Sequence, residues 1–481
     1  MAVSPLRLAS LCGFTNMPTN EVVSLRDELL AGLQSSSPML RSASSKVPMA
    51  DLANRSILHG QADVLAGRSV LVLTREQLET VWVLTELDGL ARRVVLFPGG
   101  FSLEHIGHII RGASVDAIVT DYCNFGAEFP HVHYFMPATH EEIPQEYDRS
   151  RKVETEWVLL TSGTSGPPKL VAHTLTSLAG HLYRAQAAPD SRVWSTFYDI
   201  RRYGGLQILL RAMLTGTSMV LSVIEESTSD FLVRAGRSGV THISGTPSHW
   251  RSAMMSPMAG ELKPHYVRLS GEIADQVILD QLHAAYPDAA LVHAFASTEA
   301  GLAFEVKDRQ AGFPVSALDA TQDVAMKIEE GTLRIQSPRA ALRYLGEGAP
   351  ALRDADGFVN TGDRVEPRDG RLYFAGRSDG QINVGGQKVY PEEVEAVLNQ
   401  HPSVQISLVR RKASSLTGAI VIADVVLKPS SAALPSETQD LKNQILRHCR
   451  ESLSPYKVPA AINFVPALDV SGTGKLQRAS A

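Results

Sequence analysis

Residues 157–171 read WVLLTSGTSGPPKLV. An apolar run with the character of a buried strand passes directly into Thr161, Ser162, Gly163, Thr164, Ser165 and Gly166, then into Pro167, Pro168 and Lys169. Glycines let successive backbone N–H groups converge on one anion, and hydroxyls add further donors. A lysine at the end of the loop supplies a point charge for phosphate. A flexible turn is the ordinary reading of any Gly/Ser loop. The order strand, loop, lysine favours a phosphate cradle instead. The spacing G-x-x-x-x-G-K-[ST] is absent, so the cradle is not a P-loop.

On either side of this loop, short apolar runs alternate with helical patterns. Strands are predicted at 69–73, 94–97 and 117–120, with helices at 75–87 and 103–111. The alternation resumes with strands at 218–223, 241–244 and 290–294 and helices at 230–238 and 274–285. Strands separated by helices of this length imply parallel βαβ units covered on both faces. From about Gly376 the texture changes. Strands at 404–409, 419–427 and 461–465 and helices at 392–399 and 437–453 read as a compact α+β unit. The fold class is therefore α/β. A large N-terminal domain of βαβ units with parallel sheets (residues 1–378) precedes a small C-terminal α+β domain (379–481). The hinge between them falls among the Gly, Ser and Asp of 377–380. The serine-rich stretch 35–45 and the small-residue stretch 430–438 read as mobile connections.

Composition sets the outer bounds. At about 150 residues per domain, 481 residues make roughly three core-sized units. A chain 44% hydrophobic and 20% charged is not disordered. Its 46 basic and 51 acidic residues leave a net charge of −5. That gives no basic footprint for nucleic acid and no strong field toward a membrane surface. Cys12, Cys123 and Cys449 form neither a disulfide framework nor a zinc spacing, which suits a reducing compartment. No apolar run approaches the roughly 18 residues of a membrane span. The first residues are too polar for a secretory signal. A cytoplasmic protein without nucleic-acid partners is expected.

Five further segments stand in order along the chain: RLSGEI at 268–273, HAFASTEAG at 293–301, NTGDR at 360–364, GRSDGQINVGGQKVYPEEVE at 376–395 and VSGTGKLQR at 470–478. Together with the glycine-rich loop they resemble the signatures of the acyl-adenylate-forming (AMP-binding) superfamily. That superfamily comprises acyl-CoA synthetases, nonribosomal peptide adenylation domains and firefly-type luciferases, and the likeness is greatest to stand-alone acyl-CoA synthetases. The resemblance runs from Thr161 to Lys475; the first 150 residues carry no signature.

The resemblance implies roles residue by residue. Thr161, Ser162, Gly163, Thr164, Ser165, Gly166 and Lys169 would hold the phosphates of ATP, with Thr164 counted among the catalytic residues. Gly271 and Glu272 would pack on adenine, in a turn lacking one of the family's glycines. Phe295 stands where tyrosine is usual and would stack on adenine or line the acyl pocket. Ser297 and Thr298 would meet phosphate. Glu299 would be catalytic as the Mg²⁺ ligand, since a hard cation bridging phosphates takes carboxylate oxygen. Asp363 would accept the ribose hydroxyls, a use suited to an acceptor-only carboxylate. Arg377 would reach ribose or phosphate. Asp379 would be the hinge residue. Gly385 and Gly386 would leave room for a thiol arm. Lys475 would be the catalytic lysine. The acyl pocket would comprise Tyr198, Arg202, Gly204, Gly245, Thr246 and Ala296, with the small Gly245 and Ala296 leaving space for a chain or ring. The ordinary reading of Arg201 and Arg202 is a solvated loop. Turned inward, one of them would pair with a second carboxylate or hydroxyl of the substrate. Arg410, Arg411 and Lys412 read as a solvated turn after a strand, or as a contact for the acceptor's phosphates.

The implied activity is ATP-dependent ligation of a carboxylic acid, by way of acyl-AMP, to the thiol of CoA. ATP, Mg²⁺ and CoA (or carrier-protein phosphopantetheine) are the implied cofactors. A fatty or other aliphatic acid is favoured over an aryl acid. The alternatives are an acyl-AMP ligase loading a separate acyl carrier protein, a luciferase-like oxygenase and a non-catalytic nucleotide-binding relative. The last is disfavoured because Thr164, Glu299, Asp363 and Lys475 are all present.

Overall fold

The computed structural model describes residues 22–32, 37–122, 129, 131–137, 143–144, 152–161, 167–180, 182, 191–223, 225–319, 323–378, 380–414, 417–428, 431 and 438–468. Two large sheets dominate. In the first, Ser69–Leu73, Arg93–Leu96, Ala117–Thr120 and Glu156–Thr161 run parallel. Lys169–His173 folds back antiparallel on Glu156–Thr161, and Arg343–Leu345 closes that edge. In the second, Val193–Thr196, Ser218–Val220, His242–Gly245, Tyr266–Ser270 and Ala290–Ser297 are parallel.

Side chains alternate across each strand, and the alternation builds the layers. Val70 and Val72 enter one core, with helices Gln77–Leu87 and Tyr203–Leu214 and the inner face of the second sheet. Leu71 and Leu73 enter another, under helix Ile106–Ala113. On the far side of the second sheet, Ile243 and Val267 pack with helices Thr228–Arg237, Pro247–Met255 and Gln276–Ala285. Both faces of SVLVL are thus covered, which is why its apolar run is unbroken.

A five-stranded antiparallel sheet follows, built from Phe313–Pro314, Ala325–Glu329, Thr332–Gln336, Val359–Arg368 and Arg371–Arg377. The C-terminal residues have their own core, drawn entirely from 382–464. It lies between helices Pro391–Leu398 and Thr438–Ser452 and the sheet of Val404–Ser414, Gly418–Leu427 and Ala461–Phe464.

Two expectations are corrected. The stretch 35–45 is not simply a mobile connection: Met39–Arg41 pairs parallel with Ser218–Val220, and Leu40 is fully buried in the ladder. Arg410–Lys412 is not a turn. The strand continues to Ser414, and Arg410 is ion-paired with Asp424 across the ladder. The serines of the stretch 430–438 fall mostly outside the described residues. No helix among the described residues is long and apolar enough to cross a membrane.

Candidate active site

Several candidate residues lie where parallel strands end. Thr161, the loop 197–202, Thr246, Gly271 and Thr298 all follow the carboxyl ends of strands in the two sheets. In open α/β sheets that edge is where ligands bind. Here the two edges are stitched together by side chains. Asp199 accepts from the Gly99 N–H (2.7 Å), beyond the first sheet's Arg93–Leu96. Arg201 donates to the Thr74 carbonyl (2.5 Å), just past Ser69–Leu73. Arg201 is 1% exposed and its guanidinium grips Asp199 through Nε (2.9 Å) and Nη2 (2.8 Å). The solvated-loop reading of Arg201 is therefore wrong. An arginine so buried is tolerated because carboxylate and carbonyl partners take its donors.

On the phosphate side, Lys169 lies opposite Thr161 in the hairpin that frames the glycine-rich loop. Its ammonium stands 5.3 Å from the ring centroid of Tyr344. The Tyr344 hydroxyl donates to Glu299 Oε1 at 3.3 Å. Burial and the neighbouring Glu299 charge push the Tyr344 phenol well above its ordinary range, so it stays a donor. Glu299 is thus a half-buried carboxylate held by one neutral hydroxyl, with a lysine behind the same ring. Tyr344 carries no sequence signal for this; it arrives from a strand 45 residues away in sequence.

The turn after Ala290–Ser297 is held from both directions. The Ala300 N–H donates to Ser297 Oγ (3.0 Å). His173, fully buried in the Lys169–His173 strand, meets the Thr298 carbonyl through Nε2 at 2.7 Å and Ser177 Oγ through Nδ1 at 2.9 Å. A carbonyl only accepts, so Nε2 carries the proton and Nδ1 accepts from the serine. Burial pulls the His173 pKa down to about 4, which keeps the ring neutral. Sequence reading missed this residue.

Tyr198, buried, donates to the Ser270 carbonyl at 2.6 Å, ahead of Gly271, whose φ of +85° suits glycine. Glu272 accepts from the Ser248 N–H at 2.9 Å, at the start of helix Pro247–Met255. Thr246 caps the same helix, accepting from the His249 N–H at 3.0 Å. Gly245 does not leave space for a substrate chain, contrary to expectation. A Cβ there would come 2.7 Å from the Phe197 ring, 3.3 Å from His249 Cβ and 3.4 Å from Trp250 Nε1. Phe295 stacks on Phe374 (centroids 5.0 Å) and Phe304 (5.8 Å), whereas Ala296 packs against the core between the sheets. Gly204 lies against the Tyr198 ring.

Asp363 and Arg377 face each other across the antiparallel ladder, with Arg377 Nη1 3.8 Å from Asp363 Oδ1. Thr361 fixes the strand there, its Oγ1 accepting from the Asp363 N–H (3.1 Å). Gly386 (φ +88°) donates its N–H to Asn383 Oδ1 (2.9 Å) in an exposed hairpin of the C-terminal unit. Ser162, Gly163, Thr164, Ser165, Gly166, Asp379 and Lys475 lie outside the described residues.

Residues 91–345 match the model of the AMP-binding enzyme family, and residues 393–475 match the AMP-binding enzyme C-terminal domain. A 2-succinylbenzoate–CoA ligase from Bacillus cytotoxicus is 25% identical over 86% of this chain and 87% of its own length. A human mitochondrial acyl-coenzyme A synthetase is 32% identical over a shorter stretch, 34% of this chain and 30% of that enzyme. Among solved structures, an anthranilate CoA ligase in complex with anthranoyl-AMP superposes with a TM-score of 0.77 at 20% identity, covering 95% of this chain and 96% of that one. With more than half of its length matched by one family model, the chain belongs to the AMP-binding enzyme family.

Proposed function

We propose that this protein is an ATP-dependent acid–thiol ligase that activates a carboxylic acid as acyl-AMP and passes the acyl group to CoA. The observation that carries the reading is the line Lys169–Tyr344–Glu299 beside the glycine-rich loop: one cation and one carboxylate anchored on a single ring at a strand edge. The family resemblance and the CoA-ligase relatives support it.

A carboxylate is a poor electrophile. Its oxygen attacks the ATP α-phosphorus and pyrophosphate leaves; a thiolate then attacks the acyl carbon and AMP leaves. Neither step needs a side-chain nucleophile. The chain's task is to position groups and neutralise charge. Lys169 faces the departing phosphates, Asp363 takes the ribose hydroxyls, and the Thr298 turn is held rigid by His173. Lys475 is proposed to neutralise the α-phosphoryl group, and Asp379 to let the small domain (379–481) turn between the two steps. Glu299 fits Mg²⁺: a single hard carboxylate suits a cation completed by substrate phosphates. Among the described residues no cluster of three metal-ligating side chains competes with it. When bound, that ion would neutralise phosphate charge. A cytoplasmic setting and an aliphatic acid complete the reading.

The test is pyrophosphate release with ATP, Mg²⁺ and a panel of acids, with and without CoA. CoA-dependent turnover that falls at least about a hundredfold in Glu299→Gln and Lys475→Ala supports the reading, a loss of the size met when a transition-state charge partner is removed. A single burst of pyrophosphate that CoA cannot turn over would transfer the second step to a separate carrier protein. Release unaffected by both substitutions would sink the site assignment.

A further inference from the structure

Beside the buried Asp199–Arg201 pair stands a second arginine that has no acidic partner among the described residues. Arg202 is the residue just before helix Tyr203–Leu214, half-buried, with its guanidinium carbon 5.4 Å from the Phe101 ring centroid. Its Nε is out of contact with solvent and has no hydrogen-bond partner among the described residues. Asp199 cannot serve it. One oxygen of that carboxylate takes the Arg201 N–H and Nε, and the other takes Arg201 Nη2 and the Gly99 N–H. Among the described residues no acid pairs with Arg202. Burial pulls its pKa down to about 10 despite the nearby Asp199. A guanidinium is still charged throughout the neutral range, and its planar fork matches a carboxylate with two parallel hydrogen bonds. A guanidinium whose Nε is buried without a partner is costly on a strand edge where ligands bind, unless an anion arrives there.

We propose that Arg202 binds a second anionic group on the acid, so that the substrate is a dicarboxylic acid or one bearing an equivalent anion beyond the carboxylate that is adenylated. This rests on the ligase reading and names its substrate class. The position separates this anion from the ATP phosphates. Phe101 follows the strand Arg93–Leu96, whereas Lys169 opens a strand two places along the same sheet. Two strand spacings are roughly 10 Å. The neighbour of Arg202 on its own loop is Tyr198, which spans to Ser270 and packs on Gly204, on the side assigned to the acyl group. Phe197, His249 and Trp250 stand where a Cβ on Gly245 would point, so that glycine opens no extra room for a long chain, and the anion is expected on a short or compact acid.

The experiment measures initial rates of pyrophosphate release by the full-length protein with ATP, Mg²⁺ and CoA. It uses matched pairs: butyrate and succinate, hexanoate and adipate, benzoate and terephthalate. At least one diacid is expected to exceed its monoacid partner in kcat/KM. Arg202→Leu should lower that diacid-to-monoacid ratio about ten- to hundredfold, through KM for the diacid, as for loss of a buried charged hydrogen-bond partner. Arg202→Lys, which keeps the charge without the fork, should fall between. Far-UV circular dichroism establishes that both variants fold. Monoacids preferred in every pair, with the ratio unmoved in Arg202→Leu, would overturn the inference and leave the ligase reading intact. So would a rise in KM for ATP or CoA shared by all acids, which would give Arg202 to a nucleotide phosphate. No pyrophosphate from any acid would instead remove the ligase reading beneath it.

Discussion

At the scale of single residues, the buried polar groups divide into those that hold the scaffold and those that hold the turns bearing candidate site residues. Asp199 and Arg201 are scaffold: six mutual and cross-sheet hydrogen bonds among the described residues occupy both carboxylate oxygens and three guanidinium nitrogens. Asp199→Ala should therefore destabilise the protein by about 3–5 kcal/mol, because it strands a charged Arg201 in the interior. Asp199→Leu combined with Arg201→Met should recover much of that loss, since no uncompensated charge remains. Chemical denaturation of the three proteins distinguishes a structural pair from a catalytic one. His173 is a positioning residue. Gln places an N–H near the site of Nε2, so His173→Gln should keep the bond to the Thr298 carbonyl. His173→Leu should cost about 1–3 kcal/mol by leaving that carbonyl unpaired, and should raise KM for ATP far more than KM for the acid. Equal effects of Gln and Leu on KM for ATP would remove His173 from the positioning role.

At the scale of elements, the two glycines that open helix Tyr203–Leu214 look equivalent in sequence and are not. A Cβ on Gly204 would rest at 3.4–3.5 Å from the Tyr198 ring, an ordinary contact. A Cβ on Gly205 would run into the Asp199 carbonyl and the Ile200 backbone. Gly204→Ala should stabilise by up to about 1 kcal/mol through helix propensity. Gly205→Ala should destabilise by at least about 1 kcal/mol despite the same gain, since the loop carrying Asp199 must shift. Thermal unfolding of the two variants should move in opposite directions. The same contrast explains what sequence revealed. Strands such as SVLVL were legible because both faces are buried and every residue is apolar. The sheet formed by Val359–Arg368 and its neighbours was not, because those strands alternate with charged residues on an open face. Met39–Arg41 has one buried apolar residue, Leu40, too little to show a period. The site was legible where its residues form linear runs. Tyr344 and His173 were not, because each acts through a contact 45 or 125 residues distant in sequence.

At the scale of the whole molecule, burial of neutral histidines couples stability to pH. His173 and His249 are each drawn from an ordinary 6.5 down to about 4 by burial. His242 is drawn down similarly, by burial and by the charge of nearby Arg192, though it is less enclosed. In the unfolded chain each ring gains a proton as pH falls through 6.5; in the folded protein each stays neutral until about 4. The unfolded state therefore binds more protons across that window, so their contribution is complete above pH 6.5 and is lost as pH falls toward 4. Each fully enclosed ring contributes a slope of about 1.4 kcal/mol per pH unit at most. His173 links the two sheets' strand ends through Thr298 and His249 packs beside Phe197 and Tyr198, so both are tied to the packing around the candidate site. Urea unfolding at pH 7.5, 6.5 and 5.5 should show stability nearly level over the first interval and falling over the second. His249→Gln should reduce the fall between 6.5 and 5.5 without removing it, because His173 continues to titrate. Stability unchanged from 7.5 to 5.5 would mean that these rings take up protons in the folded state, and the neutral His173 that holds the Thr298 turn would have to be abandoned with them.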